Sequence, residues 1–470
     1  MNVLKYGTLA VSILALISGC KESETTKKLA QLDPPETSKL ERTADSLFQT
    51  AIDSSLLAGG EVLVYKAGDT LLRKTYGKAS IELGVPMPEN AMYEIASVTK
   101  QFTAAAILKL VEEGKLSLYD PMTDYIDFDT QGYDVRIHHL LNHTSGIFQQ
   151  KLLPDFWNIV QRPFSKDSIL TMTEAAGMMF PPGEAQFYND SAYFILGMII
   201  EKLSGQSYED YLDDTFFSPL GMHNTNYCSN DRIEPNKAYG YDYKDGKLQK
   251  HELLDHSWPY AAGSLCSTAE DLLIWMEALH NGKVLSKAAY EIMITPTMLH
   301  GWRNIQYNAG LDLTEVNGYQ TIGHLGGIPG YSSSVRYLPT EDLYIIILLN
   351  TRGSLHTGEL VTQLQGSVLP TAKHLSVDLD VNPKDLNGTY CNAHENGPEC
   401  IKITVSENGL VYETAGGKNE DFSMFLGENT WKHEDKPFLI QIHHDSLALD
   451  YISHNYLLIK DQHKHQTNSK

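Results

Sequence analysis

The chain has 470 residues, with 37 Lys and Arg against 59 Asp and Glu, and carries a formal net charge of −22. A field of that sign repels nucleic acid and anionic lipid, so neither is expected as an electrostatic partner. With 42% hydrophobic residues the chain can bury one large core and still supply a second module, which makes two domains the starting expectation.

At the N-terminus, Lys5 is followed by an apolar run from Leu9 to Ile17 that is too short to span a bilayer, the pattern of an export signal. It ends in Ile17, Ser18, Gly19 and Cys20, which resembles the bacterial lipobox. That resemblance implies a signal peptide over residues 1–19, a diacylated Cys20 as mature N-terminus and a lipid-anchored protein of the cell envelope, where two or more acyl chains make a durable anchor. An ordinary secretory signal with a chance cysteine is the competing reading. Residues 20–37 are polar and contain too few apolar side chains to pack, so they read as a tether.

From Ser38, the series Leu40, Ala44, Leu47, Ala51 and Leu56 keeps helical spacing, with Gly59 and Gly60 expected to close the helix. Strand-like runs follow at Glu61 to Tyr65 and Thr70 to Tyr76, around a Gly68-Asp69 turn. Residues between Lys100 and about Asn281 are mostly helical by periodicity, as in Thr103 to Glu113 and Ala192 to Leu203. A second hairpin is expected at Tyr331 to Leu338 and Leu343 to Leu349, and a closing helix over Ser354 to Leu369. This predicts an α+β domain over residues 38–376, in which an antiparallel sheet assembled from both ends is flanked by helices and a helical subdomain. Residues 377–462 change to short alternating runs separated by turns, a small all-β barrel or sandwich, and 463–470 read as a frayed tail.

Besides Cys20 there are four cysteines, an even number in a compartment that permits disulfides. Cys391 with Cys400 is the favoured pair, close across a Gly/Pro/Asn-rich loop; Cys228 with Cys266, or buried free thiols, stay open. No zinc spacing, HExxH or GxSxG is present, so no metal or other cofactor is expected and the α/β-hydrolase arrangement is disfavoured.

Ser97, Val98, Thr99 and Lys100 form an SxxK at the start of a helix, where residues i and i+3 share a face and a hydroxyl can meet an amine. A serine needs an adjacent base, and a lysine becomes one only where burial or nearby positive charge favours its neutral form. The helix N-terminus supplies partial positive charge and aims backbone N–H groups at a developing oxyanion. Alone, SxxK is weak. It gains weight from Pro182 and Gly183 introducing Phe187, Tyr188, Asn189 and Asp190, and from His324, Leu325, Gly326 and Gly327 ahead of the strand carrying Ser332 to Ser334.

In this order and spacing the motifs resemble the penicillin-recognising serine hydrolases: class C β-lactamases, D-alanyl-D-alanine carboxypeptidases and family VIII-type esterases. Leu116 to Pro121, the run from Leu140 to Gly146, Pro219 to Met222, and Gly263 with Ser267 and Thr268 are similar as well. The resemblance implies an acyl-enzyme on Ser97, Lys100 as proton acceptor and Tyr188 as proton shuttle. It also implies an oxyanion hole from the N–H groups of Ser97 and Gly327, and substrate contacts from Asp190, His324 and Gly326. Two positions depart from the β-lactamase pattern. Asp190 replaces an amide donor by an acceptor, and His324 replaces a permanent cation by a group half-charged near neutrality, which disfavours efficient β-lactam hydrolysis. His143 is expected to be structural, and Tyr260, Tyr307 and Tyr331 to pack or line the pocket. The expected partner is a small peptide or ester, first of all a D-amino-acid peptide derived from peptidoglycan. A weak β-lactamase and a non-catalytic lipoprotein that holds cell-wall fragments are the alternatives. The sequence leaves the oligomeric state open.

Overall fold

The Ser38 hydroxyl accepts the Glu41 N–H at 3.0 Å and caps helix α1, Lys39–Asp53. This computed structural model describes residues 38–299 and 303–370 and, between 387 and 460, the strands of a third region. The export signal, Cys20, the tether 20–37 and the tail 463–470 lie outside the described residues. Leu40, Ala44, Phe48 and Ala51 are the buried stripe of α1. The helix stops at Asp53 rather than at Gly59 and Gly60, which instead open strand β1, Gly59–Lys66. A side chain on Gly60 would come within 2.7 Å of the Leu348 carbonyl, so close strand approach, not helix termination, explains that glycine.

Strands β2, Asp69–Ser80, and β3, Val85–Pro86, follow. The chain then crosses a helical region that includes α2, Thr99–Glu112, α3, Asp190–Ser204, and α4, Ala269–His280. It returns as β4, Tyr307–Asn308, β5, Leu311–Val316, β6, Tyr319–Ile328, β7, Tyr331–Leu338, and β8, Leu343–Leu349, and ends the domain with α5, Thr357–Val368. The eight strands form one sheet in the order β4-β5-β6-β7-β8-β1-β2-β3, paired antiparallel throughout. Both ends of the domain therefore build it, and the hairpin of β7 and β8 falls at the residues expected.

Every residue of β8 is buried, because the sheet is covered on both faces. Val62, Val64, Ile345 and Ile347 pack with Phe48 of α1 and Leu364 of α5. Leu63, Ile346 and Leu348 belong to the opposite core, shared with α2, α3 and α4. Alternation along the strands thus sets one layer of helices against each face. No helix among the described residues is long and apolar enough to cross a membrane.

Cys228 and Cys266 are joined by a disulfide, so they are not free thiols. Strand pairing sets Asn226 opposite Cys266, which brings the two cysteines to 5.2 Å between Cα atoms although 38 residues separate them. Cys400 is also disulfide-bonded, and lies opposite Cys391 in its ladder. The C-terminal region is a nine-stranded antiparallel sheet whose two edge strands, Asn419–Phe422 and Met424–Gly427, are consecutive in the chain. Edges so nearly joined meet only if the sheet curls round on itself.

Candidate active site

The peptide leading to Ser97 is fixed from two sides. Ile95 donates its N–H to the Leu265 carbonyl at 3.0 Å, and its own carbonyl accepts the Ser333 hydroxyl at 2.8 Å. Ala96 then turns into left-handed backbone at φ 50°, a conformation costly for a residue with a side chain and one that clusters at functional sites. The 3-10 turn Ala96–Val98 runs straight into α2, so Ser97 stands at the entrance of a helix whose residues are almost all buried.

Lys100 is fully buried, and its ammonium has three partners. It donates to the Ser97 hydroxyl at 3.3 Å, to Asp190 Oδ1 at 2.7 Å and to the Ala262 carbonyl at 2.8 Å. Burial lowers its pKa to about 8, with Asp190 opposing and Lys151 assisting that shift. Burial would raise the Asp190 carboxyl, but Lys100 and Lys151 outweigh it and hold it well below the usual range. In the resting pair Asp190 is therefore ionised and Lys100 holds a weakly bound proton.

Asp190 opens α3, and its second oxygen is also in use. It takes Lys151 Nζ at 2.6 Å and Gln149 Nε2 at 3.4 Å, while Gln149 Oε1 accepts the Asp190 N–H at 3.3 Å. Asp190 was expected to contact substrate; it lines the pocket, but with both oxygens engaged it has the geometry of orienting a charged Lys100. Asn189 caps α3, accepting the Ala192 N–H at 3.0 Å and donating to the Ile147 carbonyl. That cap explains why Tyr188 stands just ahead of the helix.

The Tyr188 ring lies 4.7 Å from Lys100 Nζ, and its buried hydroxyl has no completed hydrogen bond. Burial, with the Asp190 charge added, pushes the phenol well above 10; the Ser97 hydroxyl is near enough to oppose this without reversing it. Any help that a charged Lys100 could give to ionising Tyr188 is thus offset by the carboxylate on the same lysine. His143 is buried, takes the Asn189 N–H on Nδ1 at 3.1 Å and stacks 4.4 Å from Tyr188. It supports the phenol, as the structural reading required.

His324 differs from its expectation. It is 3% exposed and lies behind Tyr188, with Nε2 3.2 Å from the Tyr307 hydroxyl and Nδ1 donating to the Leu325 carbonyl at 2.5 Å. Burial lowers it to about 4, so it is neutral at pH 7 rather than half-charged, and it does not line the pocket. Gly326 is a packing position too: a side chain there would meet Ser333 Oγ at 2.1 Å and the Ile95 carbonyl at 2.3 Å. Neither residue is placed for the direct substrate contact expected of it, because β6 turns both toward the Ser97 segment and the Tyr188 cluster.

Ser97, Asp190 and Gly327 do line one pocket, with Lys151, Trp157, Trp258 and Arg352, enclosing about 540 Å3 including its open mouth. Gly327 is exposed, with Arg352 Nε 4.0 Å from where a side chain would begin. Lys151, Gln149 and Arg352 were not picked out in the sequence; each lies in a stretch with no local motif, and only the fold brings them here. Tyr307, expected to pack or line the pocket, is buried against His324. Among the described residues no three His, Cys, Asp or Glu side chains are grouped to hold a metal.

Residues 44–369 match the family described as Beta-lactamase. The chain belongs to the β-lactamase family. It is 31% identical over 355 residues to Penicillin-binding protein 4* of Bacillus subtilis (strain 168), covering 70% of this chain and 74% of that one. Among solved structures, a penicillin binding protein from Bacillus halodurans superposes with TM-score 0.57 at 26% identity, covering 68% of this chain and 98% of the other. D-amino acid amidase from Ochrobactrum anthropi SV3 has TM-score 0.62 at 24% identity over 70% and 99%, a likeness of fold. As a member of this family the chain is a serine hydrolase.

Proposed function

We propose that the protein is an exported, lipid-anchored hydrolase that cleaves an amide or ester through an acyl-enzyme on Ser97, with a D-amino-acid peptide bearing a free carboxylate as its substrate class. The observation that carries this reading is the set of partners around Lys100. Two of them, Asp190 and the Ala262 carbonyl, can only accept; the Ser97 hydroxyl alone can also donate. When Lys100 loses its proton, its two remaining N–H groups stay on the acceptors and its lone pair faces the serine. Burial keeps that proton weakly held, at about pH 8, so a neutral base is within reach of physiological pH.

Ser97 Oγ then attacks the carbonyl carbon as its proton passes to Lys100, and the oxyanion is held by the N–H groups of Ser97 and Gly327. The protonated Tyr188, whose hydroxyl is free for a new bond, relays a proton to the leaving group. Water hydrolyses the acyl-enzyme by the reverse relay. Lys151 and Arg352 place two cations at the pocket mouth of a chain with net charge −22, and Arg352 has no ion pair among the described residues, which supports an anionic substrate end. The name of the D-amino acid amidase that shares the fold supports the choice of stereochemistry to try first. His324 serves behind Tyr188 as a neutral support.

A fluorophosphonate probe should label the wild type on one serine and leave Ser97→Ala unlabelled, and D-alanyl-D-alanine peptides should turn over in the wild type alone. Equal labelling of both proteins would refute the nucleophile. For the anchor, Cys20→Ser should release the protein from washed membranes; retention would refute lipidation at that residue.

A further inference from the structure

Behind the turn that carries the Ala262 carbonyl lies a second, larger cleft, and the Ser97 chemistry makes no use of it. Counted as for the Ser97 pocket, open mouth included, it encloses about 1360 Å3, and it is lined by segments from four parts of the helical region, around Lys166, Glu201, Arg232 and His256. One wall consists of Tyr208, Tyr227 and Tyr260, whose ring centres stand 5.2 to 6.4 Å apart. Tyr208 and Tyr227 have hydroxyl partners, Thr103 and the His256 carbonyl. Tyr260 is 3% exposed, its backbone is left-handed at φ 41°, and its hydroxyl completes no hydrogen bond, although burial and the nearby Glu201 carboxylate both raise the phenol. A buried phenol left in that state lacks a polar partner it could take from a ligand.

The charges point to the sign of that ligand. Four carboxylates line the cleft, Glu201, Glu209, Asp231 and Asp255, against two cations, Lys166 and Arg232. Both cations are already engaged: Lys166 Nζ lies 2.6 Å from each oxygen of Glu201, and Arg232 pairs with Glu209 at 2.8 Å. Asp231 and Asp255 have no ion-pair partner among the described residues. The cleft also shows how it treats an ammonium, because Lys166 Nζ sits 4.5 Å over the Tyr260 ring while it pairs with Glu201. A ring face above and a carboxylate beside is the environment that favours a cationic nitrogen. Lys166 stands in the first turn of its helix with a side chain 39% exposed, so it can swing out without disturbing the core.

We propose that this cleft is a second binding site, for a ligand bearing a primary ammonium group such as a peptide N-terminus or a lysine-type side chain. Lys166 occupies the ammonium position when the site is empty. An entering amine displaces it, takes Glu201 and the Tyr260 face, and donates to a lone pair of the Tyr260 oxygen, while Asp231 and Asp255 hold a second positive charge farther along. The site is separate from the acyl-enzyme pocket, so its existence does not depend on the hydrolytic reading.

The test is calorimetric titration of the full chain in its Ser97→Ala form with 1,5-diaminopentane, a dication that cannot be hydrolysed, with glutarate as the anion of matching length. Saturable binding of the diamine and none of glutarate is expected. Lys166→Ala removes the internal competitor and should tighten binding about tenfold, whereas Glu201→Gln should weaken it about tenfold. Tyr260→Phe should weaken it less. Opposite shifts from two neighbouring substitutions are not a signature of misfolding, and Lys166→Ala needs no buried group to be altered. Absence of saturable binding in both the Ser97→Ala protein and its Lys166→Ala derivative would overturn the proposal. So would diamine binding that neither substitution moves, which would put the amine elsewhere.

Discussion

Strand β8 and the stretch of helix α2 from Thr99 to Leu108 are equally buried but hold different kinds of residue. β8 reads Leu-Tyr-Ile-Ile-Ile-Leu-Leu, and its side chains fill the two cores on either side of the sheet. α2 buries Thr99, Lys100, Gln101 and Thr103 among its apolar residues, and each polar side chain has a named partner. Thr99 accepts the Leu265 N–H at 3.1 Å, Gln101 accepts Trp275 Nε1 at 3.3 Å, and Thr103 donates to the Ala261 carbonyl at 2.6 Å. Apolar burial in the strand supplies stability without regard to direction, whereas the helix spends polar burial on fixing one amine against one hydroxyl.

If that division is right, equal losses of stability in the two regions should have unequal effects on the chemistry. Asp190→Asn strips the buried Lys100 of its anion and should cost about 3–5 kcal/mol of stability. Without the carboxylate that favours the charged amine, the acid limb of kcat/KM should move to lower pH while kcat falls; an unmoved limb would detach Asp190 from the base. Ile346→Ala, in the middle of β8, should cost about 2–5 kcal/mol by denaturant unfolding and leave that limb where it was. A moved limb would mean that the sheet and the site are coupled.

A smaller, gradual effect comes from acid. His139 and His324 are held by burial at about 4, and His280 at about 3, below the ordinary 6.5. Folded-state values below unfolded ones mean that the unfolded chain binds more protons as pH falls through 6.5. Their stabilisation is present above that value and is lost progressively down to about 3, so Tm should decline between pH 6.5 and 3. A flat Tm over that window would contradict the burial of these rings.

Much of the domain was legible because its signals are local. The run from Leu343 to Leu349 reports a buried hairpin strand directly, and SxxK places an amine one helical turn from a hydroxyl whatever the rest does. β5, with Asp312, Thr314 and Glu315 among its six residues, gave no such run; Asp312 is buried only because Arg336 of β7 pairs with it at 3.3 Å. The charge state of His324 was misjudged for a similar reason. A sequence shows that a residue can titrate, but its desolvation by Tyr307 and Tyr188 exists only after β4 and the Tyr188 loop come together. Lys151 was invisible on the same grounds, although it touches the carboxylate that orients the base.

That lysine gives the most direct test of the central claim, that Ser97 is activated by a Lys100 whose proton is loosened by burial and by the neighbouring Lys151 charge. The rate of Ser97 acylation by a fluorophosphonate should be followed against pH in the wild type and in Lys151→Ala. The wild type should lose rate below an apparent pKa near 8, and loss of the Lys151 charge should move that value upward by a fraction of a unit to one unit. A limb near 6.5, or one near 8 that Lys151→Ala leaves in place or lowers, would contradict the account.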